Sequence, residues 1–255
     1  MVNFSRQHDN FSIFICTFAA IMAKHLLLYI VLIVCFLPLD AAAQMQNVEC
    51  EDTCEHIHGI DISHYQGQVF WEIVGENTHT AYVYVKATEG GDRIDSEYEK
   101  NLMLAHSYGL KVGSYHFYRP KAVQQVQFEN FAKQCLRKEQ DLVPMIDIET
   151  TSGLPDSTFC DSLFTFLRLV EKHYKQKPLI YTGANFYDRH LLGKLDDYKI
   201  MIAQYTAREP RLKDDRDITM WQYTGKGRIN GIKGHVDKSR FMGKHSMREI
   251  RYRHR

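Results

Sequence analysis

Short runs of apolar, often β-branched residues alternate with longer stretches of helical periodicity from His56 onward. The runs at 57–62, 81–87, 111–117, 142–148, 179–182, 200–204, 219–223 and 234–237 have the length and composition of strands. Helical patterns at 96–108, 123–136 and 157–174 fill the earlier gaps, the last with Phe159, Leu163, Phe166, Leu167 and Val170 on one stripe. Gly109 supplies a stop after the first of them. Repeated strand-helix units predict an α/β fold, and eight strands suggest a TIM-like barrel. The gaps between the last three strands are shorter and rich in Gly, Asp and Lys, so the late part of the barrel is expected to lack full helices.

Such a barrel gathers its functional side chains at the C-terminal strand ends. Those ends read Asp61, Glu89, Tyr118, Asp147 with Glu149, Tyr181, Gln204, Gln222 with Tyr223, and Asp237. Acids, amides and tyrosines grip sugars through hydrogen bonds and flat apolar faces. A phosphate site would want Gly-rich loops with Lys or Arg at a strand-to-helix junction, and none is present. The segment Pro144-Met-Ile-Asp-Ile-Glu149 is the most informative, because alternation puts Asp147 and Glu149 on one face and Ile146 and Ile148 on the other. Two nearby carboxyls in different environments are what acid-catalysed glycoside cleavage needs, one holding a proton while the other is charged.

Several of these residues have plainer readings. Asp61 could cap a turn through Ser63, Asp237 could pair with Arg240, and Glu89, ahead of Gly90-Gly91, could decorate a loop. Tyr115, Tyr118, Tyr181 and Tyr223 divide between core and groove, and His116 reads as a satisfied core histidine.

Composition narrows the class. The chain has 255 residues, 44% hydrophobic and 25% charged, with a net charge of +1, which fits one globular domain plus a leader and gives no reason to expect nucleic acid. Lys24 and His25 precede an apolar run from Leu26 to Leu39, followed by Ala41-Ala42-Ala43, the order of a secretory signal cleaved after Ala43. The run is short for a span of about 20 residues, and Met22 offers an alternative start. A retained membrane anchor is the other reading, strengthened by the apolar patch at 11–22. The expected organisation is therefore a leader at 1–43, a linker at 44–55, a barrel at 56–243 and a basic tail at 244–255. That tail carries Lys244, Arg248, Arg251, Arg253 and Arg255 against Glu249 alone, and reads as a solvated end with the chemistry to touch an anionic surface. Export would leave Cys50, Cys54, Cys135 and Cys160 in an oxidising compartment, where three pairings are open. Cys50 with Cys54 and Cys135 with Cys160 is the preferred one. Zinc at Cys50, Cys54, His56 and His58 does not match the usual structural spacing, and no metal or cofactor is expected.

Taken together, His58-Gly-Ile-Asp-Ile-Ser63, Tyr84-Val-Lys-Ala-Thr-Glu89-Gly, Gly113-Ser-Tyr-His-Phe-Tyr118, Asp147-Ile-Glu149, Ile180-Tyr-Thr182, Trp221-Gln-Tyr223 and His235-Val-Asp237-Lys-Ser-Arg-Phe241 resemble the glycoside hydrolase family 25 lysozymes, the Chalaropsis-type N-acetylmuramidases. The resemblance covers about residues 56–243. It implies an irregular, flattened β/α barrel with an acidic groove, cutting the β-1,4 bond after N-acetylmuramic acid in peptidoglycan. It implies Glu149 as general acid and then base, Asp147 beside the substrate acetamido group, and Asp61 and Asp237 as two further acids. Adjacent i, i+2 acids suit acetamide participation better than flanking the bond from both sides. In Lys199-Ile-Met-Ile-Ala203, where relatives often place a tryptophan, a sugar-stacking surface is missing or supplied elsewhere.

Three rivals remain. A chitinase-like barrel would want a further aspartate where Met145 stands, a non-catalytic peptidoglycan-binding barrel would not need all four acids, and a metal-dependent deacetylase lacks a ligand set. The partner expected is the peptidoglycan glycan strand, met by a monomer, with a membrane involved only if the leader is retained.

Overall fold

The computed structural model describes residues 57–254. The leader, the linker, and Cys16, Cys35, Cys50 and Cys54 lie outside the described residues. Nine strands form the sheet: β1 (His58–Ile62), β2 (Thr80–Glu89), β3 (Arg93–Ile94), β4 (Lys111–Phe117), β5 (Met145–Asp147), β6 (Leu179–Gly183), β7 (Ile200–Ala203), β8 (Met220–Gly227) and β9 (Val236–Phe241). Their order is β1-β9-β8-β7-β6-β5-β4-β2-β3, and a β1–β2 pairing closes eight of them into a barrel, with β3 as a short flap on β2. All eight expected strands are present. Around the ring every pairing is parallel except those of β9, which runs antiparallel to both β1 and β8.

The helices sit where the periodicity places them. After a short α1 (Trp71–Gly75) come α2 (Tyr98–Ser107), α3 (Gln124–Gln134), α4 (Asp156–Tyr174) and the brief α5 (Ala184–Phe186). Helix α4 buries Phe159, Leu163, Phe166, Leu167 and Val170, the stripe read from sequence, and adds Tyr174 at its end. Gly109 adopts φ 85°, a conformation costly for residues with a Cβ, and its amide closes the turn after α2. From β6 onward the connections are a three-residue helix with a π-turn, then loops, as the late gaps imply. Among the described residues no helix is long and apolar enough to cross a membrane.

Strand alternation sorts the barrel into an inside and an outside. His116 points outward, where Thr88 Oγ1 (2.7 Å) and Gln127 Oε1 (2.9 Å) satisfy both ring nitrogens. Burial lowers its pKa to about 4, so it is the neutral core histidine expected. Inside, Tyr82 and Tyr84 form a floor: Tyr82 shares a hydrogen bond with Ser239 Oγ (3.0 Å), and Tyr84 donates to the Val143 carbonyl (3.1 Å). Their rings lie over the two glycines they meet in register, Gly59 on β1 and Gly113 on β4. A Cβ on Gly59 would stand 2.2 Å from Tyr82, and one on Gly113 would stand 2.3 Å from Tyr84.

Two expectations fail here. Cys135 and Cys160 are both free thiols. Tyr174, at the far end of α4 from Cys160, donates its hydroxyl to the Cys135 carbonyl (2.7 Å). Fourteen residues of helix separate Cys160 from that contact, on the order of 20 Å, whereas bridged cysteines need Cα atoms within about 7 Å. The C-terminal tail is also not a solvated end. Ile250 and Tyr252 are buried, Val143 N donates to the Ile250 carbonyl (2.7 Å), and Tyr252 N donates to the Asp141 carbonyl (2.8 Å). Reading the charges alone missed that two apolar residues alternate with the arginines.

The tyrosine floor yields a stability test. Gly113→Ala is expected to destabilise the protein by about 1–3 kcal/mol, the usual cost of forcing extra volume into a packed interior. Chemical denaturation of the two proteins measures it; an unchanged midpoint would show that Tyr84 does not press on β4.

Candidate active site

The antiparallel sense of β9 decides where the acids meet. Asp61 stands near the C-terminal end of β1 and Asp147 ends β5. Asp237, expected at a strand C-terminus, lies instead near the start of β9. Because β9 runs backwards, its start faces the same mouth, and Asp237 pairs in register with Asp61. Glu149 follows two residues beyond Asp147, where Ile148 is held on its neighbour by Ile148 N to Tyr181 O (2.9 Å) and Thr182 Oγ1 to Ile148 O (2.6 Å). Asp147 is held on the other side by Tyr118 N donating to its carbonyl (2.9 Å).

Gln222 organises the mouth. Its Oε1 accepts from Tyr181 (2.9 Å) and Tyr205 (2.7 Å), which leaves Nε2 to donate to Asp61 Oδ2 (2.9 Å). Two hydroxyl donors fix which end of the amide is oxygen, so Asp61 is given a donor. The second oxygens of Asp61 and Asp147 are buried and have no hydrogen-bond partner among the described residues. Unpaired buried carboxylate oxygens favour the protonated form. Burial, with the Asp237 charge adding to it, pushes the Asp61 carboxyl up to about 8 against the Gln222 hydrogen bond. Burial and then Glu149 raise Asp237 to about 6. Asp147 is pushed well up by burial and next by Glu149, while Lys86 pulls it down. Glu149 is exposed at the rim, and the partial burial of its carboxyl by the groove walls raises it, with Tyr181 and the cations of Lys86 and Arg119 opposing. The empty mouth is therefore a set of acids that share protons rather than four fixed charges.

The other sequence candidates divide. Tyr181, Gln204 and Glu149 line a cavity of about 280 Å³ together with Phe186 and Tyr205. Glu89 is engaged on both oxygens: Lys86 Nζ (2.9 Å), Arg93 Nη1 (2.9 Å) and Arg119 Nη2 (2.6 Å) hold it, and its pKa falls to about 2 against the cost of burial. It clamps the β2 end to the loop after β4. Tyr118 does not reach the groove; it is buried on the helix side of β4 against Phe166, ring centroids 5.3 Å apart. Tyr223 faces away from Gln222, as neighbours on a strand do, and its hydroxyl meets His58 Nδ1 (3.0 Å) on the outer face.

Tyr205 and Lys86 went unread as site residues. Tyr205, one residue past Gln204, is 57% exposed and supplies an aromatic face at the mouth where the preceding strand lacks one. Reading one residue beyond each strand end would have found it. Lys86 is a buried cation at an inward strand position beside the acids. Among the described residues no three His, Cys, Asp or Glu side chains stand as a metal-holding group. A concavity of about 710 Å³, lined by residues from 209–212, 215–218 and 242–245, holds none of the four acids.

Comparison with known proteins bears on the family and the fold. The sequence matches Glycosyl hydrolases family 25 over residues 60–232. It is 29% identical over 204 residues to Lysozyme M1 of Streptomyces globisporus, covering 73% of this chain and 68% of that protein. An uncharacterized protein of Escherichia coli (strain K12), YegX, is 31% identical over 191 residues, covering 73% of this chain and 70% of that one. The crystal structure of the bacterial lysozyme from Streptomyces coelicolor superposes with a TM-score of 0.68 at 28% identity, over 75% of this chain and 94% of that one.

Asp61 links the site to stability. Its pKa, about 8 when folded and about 4 when unfolded, means that the native state holds a proton which the unfolded state has released between those values. Stability from this group is complete below about pH 4 and is lost as pH rises through 8. Thermal melts at pH 5 and pH 9 should show the wild-type Tm falling more steeply than that of Asp61→Asn; parallel falls would contradict the assignment.

Proposed function

The chain belongs to glycosyl hydrolases family 25 and is a glycoside hydrolase of the lysozyme type, and from that premise we propose that it cleaves the β-1,4 bond between N-acetylmuramic acid and N-acetylglucosamine in peptidoglycan, with Glu149 as acid and base and Asp147 serving the acetamido group. The observation that carries the residue assignment is the difference between two acids on one strand end. Asp147 is buried with an unpartnered Oδ1, and Glu149 is exposed on the cavity wall. An exposed carboxyl with a raised pKa can hand its proton to a glycosidic oxygen. A buried carboxyl with a vacant acceptor suits the N–H of an acetamido group.

The sequence reading has Asp147 ionised, whereas in the empty groove burial favours its protonated form. Donation from the acetamide N–H stabilises the Asp147 anion on binding, so the pair then keeps its proton on Glu149. Glu149 protonates the leaving oxygen, the acetamido carbonyl oxygen closes on C1, and Asp147 holds the N–H as positive charge develops. Water, deprotonated by Glu149, then opens the ring and restores the acid. Asp61 is tied to Gln222, and through it to Tyr181 and Tyr205 on the cavity wall. Asp237 adds a neighbouring carboxyl whose charge controls its partners' protons. Tyr205 provides the apolar face for a sugar ring.

We extend the proposal to export through the segment ending at Ala43, for which the order of Lys24, apolar run and small residues speaks. The intact mass of secreted protein should begin at Gln44; a mass retaining residues 22–43 would indicate an anchor.

Glu149→Gln is expected to lower wall lysis by about 10²–10⁴-fold, the range for losing a general acid, while sedimentation with insoluble wall is kept. Muropeptides released by the wild type should carry reducing muramic acid ends in mass spectrometry. Undiminished lysis by the variant, or reducing glucosamine ends, would reject the assignment.

A further inference from the structure

The acidic mouth has a basic rim on the side away from the cavity. Glu149 shares the cavity wall with residues of β6, β7 and the loops that follow them. On the other side of β5 the ring continues through β4 to β2. Glu89 ends β2, Arg119 lies two residues past the end of β4, and Arg93 is on the β3 flap. Three cations converge there on one carboxylate. Lys86 Nζ meets Glu89 Oε2 (2.9 Å), while Arg93 Nη1 (2.9 Å), Arg119 Nε (3.1 Å) and Arg119 Nη2 (2.6 Å) all meet Glu89 Oε1. Tying β2 to the loop after β4 needs only one arginine, yet three positive charges against one negative leave an excess of cation.

The donors left over sit at the surface and are held in place. Arg119 Nη1 and Arg93 Nε and Nη2 have no hydrogen-bond partner among the described residues. The Glu89 side chain is 11% exposed, whereas those of Arg119 and Arg93 are 43% and 71% exposed, so the unspent donors belong to the open part of the cluster. The Arg119 guanidinium lies over Phe117, 4.4 Å from the ring centroid, and its backbone N–H donates to Oε1 of the buried Gln127 (2.7 Å). Asn130 Nδ2 anchors the flap by donating to the carbonyls of Gly90 (3.0 Å) and Arg93 (3.1 Å). A guanidinium fixed by a carboxylate and by an aromatic face is preorganised to give its remaining donors to a second carboxylate. The rim also adjoins the acids, since Lys86 and Arg119 both pull down the Glu149 carboxyl and Lys86 pulls down that of Asp147.

We propose that Arg93 and Arg119 form a specificity site for a carboxylate carried on the C3 lactyl ether of muramic acid. The inference rests on the cleavage reading above and deepens it. With C1 at Glu149 and the C2 acetamido group at Asp147, the C3 substituent comes next along the sugar ring, on the side of Asp147 away from Tyr181 and Tyr205. That side is the one built by β4 and β2. The lactyl ether is what separates muramic acid from glucosamine. It brings a carboxylate either as its own acid, in peptide-free strands, or on the peptide that it bears. An anion at this carbon explains why unspent cations stand at the edge of a groove whose centre is acidic.

Glycan strands bearing stem peptides, and strands stripped of them by an amidase, test the site when each is assayed before and after carbodiimide coupling to methylamine. The coupling removes the carboxylate charge and leaves the glycosidic bond intact. It should raise the wild-type KM about fivefold, the upper range for a part-exposed ion pair, with kcat little changed because the contact is remote from the reacting atoms. A rise on stripped strands puts the lactyl acid itself in the site; a rise on peptide-bearing strands alone puts a peptide carboxylate there. In Arg119→Gln, and in Arg93→Gln at a mostly exposed side chain, the KM ratio of neutralised to charged strands should shrink toward one, and Arg119→Lys should keep part of it. A clamp that is only structural would change activity on charged and neutralised strands alike and leave that ratio at its wild-type value, which would overturn the proposal. A wild-type KM indifferent to neutralisation on both strand types would overturn it as well, while reducing muramic acid ends in the same digests would leave the cleavage reading standing. Reducing glucosamine ends would reject both.

Discussion

The direction of β9 is the constraint on which the rest of the molecule depends. A wholly parallel eight-strand barrel needs a crossover for every strand and presents only strand C-termini at its mouth. Here the last strand enters by a hairpin from β8 and closes against β1 in the opposite sense. That reversal does three things at once. It removes the need for a crossover between β8 and β9. It brings Asp237 to the acid-bearing mouth at the beginning of its strand rather than the end. It returns the chain to the opposite pole, where Met242 N meets the Thr219 carbonyl (3.1 Å) and the C-terminal segment packs beneath the barrel.

The reversal has an electrostatic consequence. Directly opposed like charges on antiparallel strands repel, and Asp61 and Asp237 are such a pair in a low-dielectric setting. The structure answers with protonation and dipoles, not with a matched cation. Gln222 gives Asp61 a hydrogen bond and is itself oriented by two tyrosine hydroxyls. Lys86, whose cation pulls down Asp147 and Glu149, is committed to Glu89 and stacks over Phe117 at 5.2 Å, so it tempers these two acids without forming an ion pair with either. A full ion pair at Asp147 would have fixed its charge and removed it from proton exchange with Glu149. Placing Glu89, with Arg93 and Arg119, around Lys86 keeps that cation anchored outside the acid cluster.

Most of the fold was legible because it rests on periodicities of two and 3.6, which a sequence displays directly. The eight strands, the α4 stripe and the outward His116 all follow from them. The acids were legible for the same reason: a carboxylate at the end of an apolar strand is conspicuous. What escaped depends on facts that are not periodic. Tyr118 and Tyr223 lie next to groove residues in sequence, and alternation then sends them to the other face; a list of strand ends cannot see this unless each end is read with its parity. Tyr205 escaped for the complementary reason, since the loop after β7 curls a residue beyond the last ladder pair back over Gln222. The separation of Cys135 from Cys160 is a matter of which end of a 19-residue helix each thiol meets, and the docking of Ile250 and Tyr252 is a tertiary event hidden beneath a conspicuous charge pattern.

The floor of the barrel sets the limits within which the proposed chemistry operates. Tyr82 and Tyr84 plug the interior below the acids, and both accept the cost of burying a hydroxyl by finding Ser239 and Val143. Their packing needs Gly59 and Gly113, so two residues without side chains lie beneath a mouth lined with acids. Water therefore cannot reach Asp61 or Asp147 from below, and their desolvation is a property of the scaffold that persists before any substrate arrives. Such a site holds protons when empty and must be charged by binding. A sugar that brings an N–H donor to Asp147 changes which carboxyl keeps the proton. One that lacks it leaves Asp147 neutral and gives up the stabilisation of positive charge at C1. On the proposed mechanism, selectivity for N-acetylated sugars then follows from the burial of Asp147, and the exposed Glu149 needs no contact with the acetamido group to share in it.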